Sequence, residues 1–457
     1  MTISSSPAAV PPRLALWWLL LGLTALLASS LFAILLIWLR TAHLPPWLGG
    51  AAFFPVAVAL HVNLAVLVWF LSFAGLLWSL PGGRWHRMGW LAWSLAAVGT
   101  GLILLSPWVS AIPADPAEKV AVMSNYLPIL RTPLFLSGLA LFGGGMLLLT
   151  LRACATLRPW SNPFPVLPHR MGLLSAAITL LLALLALAHA AWMLRDESAS
   201  AGYYEALFWG GGHLLQFLHT FLMLTVWLWL AELAGLPVPL SQRTIALLFF
   251  LGLLPALSSP LSFLELHPYA VAYRLHFTRL MSYGSWLVAP VIGGAILWQW
   301  LRRDGTDDPG QRLFRRYLLF SLFLFTLGIV IGAAIAGDSV TVTAHYHGTV
   351  GAVTVAYMGI TWQILSLFGF RRAMGRLHRL QPWLYGGGLT VLILGLAWLG
   401  EQEMPRKTPL ALHAPLTWDA VAGVAMLGVG GLVGLLGAFL FLLLAFWTLR
   451  TTRNTEP

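Results

Sequence analysis

The sequence predicts an all-α integral membrane protein, a bundle of about twelve transmembrane helices forming one domain over residues 1–457. Three observations predict it. The chain is 59% hydrophobic and 9% charged, with a mean hydropathy of +0.82. A bilayer crossing takes about 20 apolar residues, and twelve stretches supply them. Basic residues alternate from loop to loop as the positive-inside rule requires: with the N-terminus in the cytoplasm, eighteen of the 26 Lys and Arg lie inside, whereas ten of the 15 acids lie outside. An even number of spans then returns the C-terminus to the cytoplasm.

In chain order the stretches are 14–39, 51–80, 89–110, 132–151, 171–194, 205–234, 243–266, 279–301, 315–337, 340–370, 383–400 and 419–449. The first is too long for a removable signal peptide and shows no small-residue cleavage pattern. Trp17, Trp47, Trp108, Trp192 and Trp383 stand near span ends, as an interfacial belt requires. The mixed charges of Arg302, Arg303, Asp304, Asp307 and Asp308 read as a solvated cytoplasmic turn. The net charge of +11 is explained by topology; no basic patch with interleaved aromatics points to nucleic acid. The single Cys154 excludes a disulfide framework, an iron–sulfur cluster and a covalent C-x-x-C-H haem attachment.

The chemistry lies in the histidines. His345 and His347 sit inside a span, and polar side chains at membrane depth are costly and usually functional. Two residues apart on a helix, they point about 200° away from each other. They therefore face different neighbours, which suits two metal-bound planar cofactors, one on each side of a single helix. His61, His213 and His267 fall with them in the outer half of the bilayer, within about 15 Å of depth at 1.5 Å per residue. His61 with His347 would give a six-coordinate haem, and His345 would hold a second haem with an open position. His213 and His267 are then available for a metal opposite. His43, His86, His169, His276, His378 and His413 lie in loops or at span ends and read as interfacial polar residues. His189 reads as structural, and His219 receives no role.

These residues resemble subunit I of the haem–copper oxidase superfamily, which holds oxygen reductases and nitric oxide reductases. Ala344-His345-Tyr346-His347 looks like the Ala-His-Phe-His of the family's tenth helix. His61 is similar to the low-spin haem ligand of the second. Phe208-Trp209-Gly210-Gly211-Gly212-His213 resembles the sixth-helix stretch that supplies the first ligand of the non-haem metal. Ser259-Pro260 through Leu266-His267 looks like the seventh-helix segment that ends in a His-His pair, and Arg406-Lys407 is similar to the Arg pair on the haem propionates. The resemblance covers the whole chain and implies a low-spin haem, a high-spin haem (both b-type) and a non-haem Fe or Cu. It also implies an electron-donor subunit or protein, a c-type cytochrome or copper protein, on the periplasmic face of a bacterial inner membrane.

Three departures shape the expected activity. Leu266 stands where one metal ligand is expected, so Glu265, Glu205 and Gln216 become candidates for ligand or proton delivery; oxygen donors suit iron better than copper. Phe217 stands four residues after His213, where most oxygen reductases carry a redox tyrosine. The cytoplasmic half shows no buried Asp, Glu or Lys of the kind a proton-pumping route needs, only Glu232 near a span end. All three favour reduction of NO to N2O. The alternatives are an O2-reducing oxidase with a non-standard site, using Tyr269 or Tyr273, a cofactor-free transporter, which twelve spans also suit, and a di-haem quinol-oxidising cytochrome, which would lack the His213–His267 metal.

Overall fold

The computed structural model describes residues 12–38, 53–82, 84–109, 121–157, 167–284, 286–303, 308–370, 375–406 and 417–451. Twelve helices among them are long and apolar enough to cross a membrane: Arg13–Ile37, Phe53–Ser79, His86–Val109, Pro133–Thr156, Leu167–Met193, Ala201–Leu233, Gln242–Phe263, Val271–Leu301, Pro309–Ala333, Val340–Leu367, Arg376–Glu401 and Trp418–Arg450, here spans 1–12. Spans 3 and 4, 5 and 6, 9 and 10, and 11 and 12 pack extensively on one another as sequential hairpins. Lipid tails are as apolar as leucine, so these pairs are held by close packing over small residues. Gly328 of span 9 shows this: a Cβ there would lie 2.7 Å from the Thr349 nitrogen and 3.0 Å from the His345 carbonyl.

Burial divides the bundle into a centre and a periphery. Spans 2, 6 and 10 are 67%, 83% and 78% buried over their most apolar stretch, while the other spans range from 33% to 56%. The three central spans are those that carry His61, His213, and His345 with His347.

The regular helices are interrupted in two regions. Span 7 breaks at Ser258, ahead of a short helix whose first turn carries Pro260, and span 8 breaks between Val271–Tyr283 and Val288–Leu301. Span 8 thus begins eight residues before the boundary expected from hydropathy, because Arg274, His276 and Arg279 lower the apolar signal of its outer turn. Wide π-turns replace α-turns at Asn63–Val68 in span 2 and Trp383–Gly387 in span 11. Such bulges often mark functional sites, and the first begins two residues after His61.

An element not anticipated from the sequence lies between spans 3 and 4. Ala121–Val122 (β1) pairs antiparallel with Ile129–Leu130 (β2), and the tip between them descends onto the bundle.

Candidate functional site

Four of the five candidate imidazoles are fixed by a main-chain carbonyl, whereas Nδ1 of His267 accepts from the Tyr269 main-chain N–H at 3.3 Å. Nδ1 of His61 lies 3.0 Å from the Ser29 carbonyl, and the Ser29 hydroxyl donates back to the His61 carbonyl at 3.0 Å. Nδ1 of His345 meets the Gly328 carbonyl at 2.7 Å, Nδ1 of His347 the Thr343 carbonyl at 2.8 Å, and Nδ1 of His213 the Trp209 carbonyl at 2.7 Å. A carbonyl only accepts, so each Nδ1 carries the proton and each Nε2 carries the lone pair. This is the orientation that metal-bound histidines adopt.

His345 and His347 are held by different partners, one by span 9 and one by its own helix, as their spacing requires. The His345 ring also lies directly against Gly332, where a Cβ would stand 2.8 Å from Cε1. His61 and His347 lie at one height. The Tyr357 ring of span 10 contacts Phe70 of span 2 at 5.7 Å and stacks on Phe73 at 4.0 Å. His61 is nine residues above Phe70 and His347 ten above Tyr357. At ~1.5 Å per residue both imidazoles stand about 14–15 Å above that contact. Both are half-buried among buried neighbours such as Leu60, Ala344 and Gly348. His219 sits one layer lower, its ring 4.8 Å from Phe70.

His213 has different surroundings. It is buried among the rings of Tyr126, Trp209 and Phe277, at 4.6, 4.8 and 5.9 Å. The Tyr126 hydroxyl, at the tip of the outer hairpin, stands 2.9 Å from His213 Nε2. Since Nδ1 holds the proton, Tyr126 donates. The Gln216 side chain lies beside the Tyr126 phenol and draws its pKa downward. Enclosure by protein atoms and then the Glu205 carboxylate push the Tyr126 phenol above its ordinary range, which keeps the hydroxyl protonated and donating.

The three glycines before His213 make room for three different neighbours. A Cβ on Gly210 would strike the Tyr273 hydroxyl and approach Phe277 at 3.0 Å; on Gly211 it would lie 3.1 Å from the Ala183 carbonyl of span 5; on Gly212 it would lie 2.7 Å from Cδ1 of Tyr126. The hairpin tip is tied down on several sides. Glu205 accepts from the Asn125 main-chain and side-chain nitrogens at 2.9 and 2.6 Å, and Arg406 donates to the Asn125 side-chain oxygen at 2.7 Å. Arg406 also pairs with Asp338. Asn63, two residues from His61, donates to the Pro128 carbonyl at 2.7 Å. The Met404 carbonyl accepts from Val340 at the start of span 10, at 2.9 Å, which brings Arg406 to this cluster. Lys407 lies outside the described residues.

The arrangement therefore brings Glu205, Gln216 and Arg406 together around Asn125 and Tyr126. It does not bring His267 or Glu265 to His213. Both are exposed beyond span 7, and His267 rests on Tyr269 at 5.6 Å and influences His189 electrostatically. Span 7 ends at Phe263, so the following residues leave the bundle as a turn. Among the described residues no three His, Cys, Asp or Glu side chains gather as a metal site needs. His61, His347 and His345 would each offer an Nε2 to a planar metal cofactor, should one bind. The arrangement does not suit a separate metal held by His213, His267 and Glu265.

Sequence reasoning missed Tyr126 and Asn125. Their one sequence signal was a polar Ser-Asn-Tyr in an outer loop, which carries no periodicity.

No family model matches the chain. An uncharacterized protein of Rickettsia prowazekii (strain Madrid E) is 24% identical over 493 aligned residues, covering 93% of each chain. An uncharacterized protein of Aquifex aeolicus (strain VF5) is 26% identical over 375, covering 80% of this chain and 88% of that one. Among solved structures the chain is similar to a heme-copper terminal oxidase determined by cryo-EM, with a TM-score of 0.70 and 13% identity over 97% of this chain and 85% of the other. The fold is that of haem–copper oxidase subunit I.

Proposed function

We propose that this chain is a respiratory terminal reductase of the bacterial cytoplasmic membrane that reduces NO to N2O with electrons delivered at its outer face. The carrying observation is the set of three imidazoles at one depth on spans 2 and 10, each with Nδ1 bound to a carbonyl and Nε2 as the donor atom. His61 and His347 would hold a low-spin b-type haem and His345 a high-spin one. Bound there, haem iron supplies reversible one-electron storage and an open coordination position for a diatomic ligand.

The chain's own residues set the conditions around that position. Gly328 and Gly332 of span 9 fix the His345 ring, which would hold a bound cofactor in one orientation. The apolar centre excludes bulk water. Among the described residues no Asp, Glu or Lys is buried, so protons are best supplied from the outer face, where Glu205 and Asn125 lie beside Tyr126. Joining two NO takes two electrons and two protons and no O–O cleavage, a demand that Phe217 at the tyrosine position does not obstruct. The donor would be a c-type cytochrome or copper protein at the outer surface.

One observation favours a second reading, reduction of O2: the Tyr126 hydroxyl against His213 returns a phenol to the neighbourhood from which Phe217 removed it. The two separate on the purified membrane protein. A reduced-minus-oxidised spectrum should show b-type bands, and pyridine haemochrome should give two haems per chain. Anaerobic consumption of NO at a rate well above O2 consumption is expected; the reverse ratio selects the oxidase, and a colourless preparation ends both readings.

A further inference from the structure

We infer that His213 holds no metal ion, and that its Nε2 is instead the anchor onto which Tyr126 clamps the outer hairpin. The inference deepens the reading above by removing the second metal from its site, and it is carried by the donor chemistry around His213. The Trp209 carbonyl fixes the proton on Nδ1, which leaves a single lone pair on Nε2. The Tyr126 hydroxyl takes that lone pair at 2.9 Å.

The phenol is seated rather than loosely placed. Its ring occupies the space that a Cβ on Gly212 would need, with Cδ1 2.7 Å from that position. Its chain neighbour Asn125 is bound by Glu205 from span 6 and by Arg406 from the loop after span 11. Pro128 is bound by Asn63 of span 2. A metal on Nε2 would have to unseat Tyr126 against these bonds. It would then find the rings of Trp209 and Phe277, neither of which ligates, and one neutral amide, Gln216, a weak donor. One imidazole alone is a poor site for any divalent first-row metal. The residues that resemblance offers as its partners, His267 and Glu265, are exposed beyond the end of span 7.

The clamp has a structural consequence that can be read without turnover. Arg131, exposed just after β2, is a trypsin site whose protection depends on the hairpin staying seated. The test compares the wild-type protein in detergent with His213→Ala, Tyr126→Phe and Gly212→Ala. Metals per chain are measured by mass spectrometry, haem by pyridine haemochrome, and cleavage at Arg131 by timed proteolysis. Iron equal to haem iron, no other metal at unit stoichiometry, and cleavage at least several-fold faster in all three variants are the expected results. A third metal unchanged by His213→Ala lies elsewhere and upholds the inference. A third metal present at about one per chain and lost in His213→Ala overturns it. If His213→Ala fails to accumulate, Tyr126→Phe decides: faster cleavage upholds the clamp and unchanged cleavage overturns it. Absence of haem sinks the proposed function but leaves the metal count at His213 readable.

Discussion

At the scale of single residues, the partner of one nitrogen distinguishes His213 from the other candidate histidines. His61, His345, His347 and His213 share the same tautomer, but at His213 the lone pair already has a phenol partner. His345→Ala should therefore abolish the CO difference spectrum of the reduced protein while the low-spin bands persist. Equal loss of both signals would reduce that position to a packing role. Gly332→Leu should give the same selective loss with His345 intact, because the new side chain occupies the space of the imidazole. His61→Ala should remove the low-spin bands first. These positions were legible in the sequence, since an imidazole inside an apolar run is conspicuous. Tyr126 was not, because its partner lies 87 residues away and a loop tyrosine has many destinations.

At the scale of elements, the contact between spans 9 and 10 fixes both the helix crossing and the His345 ring. Gly328 lies under Gly348 and supplies the carbonyl that His345 uses. Gly328→Val should separate the two helices and cost about 1–3 kcal/mol, the usual range for overpacking a close contact. Thermal unfolding in detergent, followed by size-exclusion fluorescence, should show a lower Tm together with loss of high-spin haem; an unchanged Tm would contradict the tight crossing. The outer hairpin is the other decisive element. Asn125→Ala removes side-chain bonds to Glu205 and Arg406 and should speed trypsin cleavage at the already exposed Arg131 by loosening the hairpin. Asp338→Asn neutralises the exposed partner of its ion pair with the largely covered Arg406 and should cost less than about 1 kcal/mol. The seventh span shows where pattern reading fails. Its hydrophobic run continues to residue 266, yet the helix stops at Phe263, and the residues expected to reach His213 turn outward instead.

At the scale of the molecule, the central position of spans 2, 6 and 10 and the tilt of basic residues toward one set of loops define an inside and an outside. A green fluorescent reporter fused after the C-terminus should fluoresce and an alkaline phosphatase fusion at the same point should be inactive; the opposite pattern would invert the orientation and move the electron donor to the cytoplasm. The alternating charge of the loops predicts this sidedness, and the number and order of spans were readable because an apolar stretch long enough to cross a bilayer has few other fates. The spans that carry His61, His345 and His347, and the tautomer-ready spacing of the last two, also follow from the sequence through helix geometry. What tertiary structure alone decided is that the His213 lone pair is taken by a phenol. A loop has no periodicity to place its side chains, so only the folded chain could bring Tyr126 to His213 and leave His267 and Glu265 at the surface.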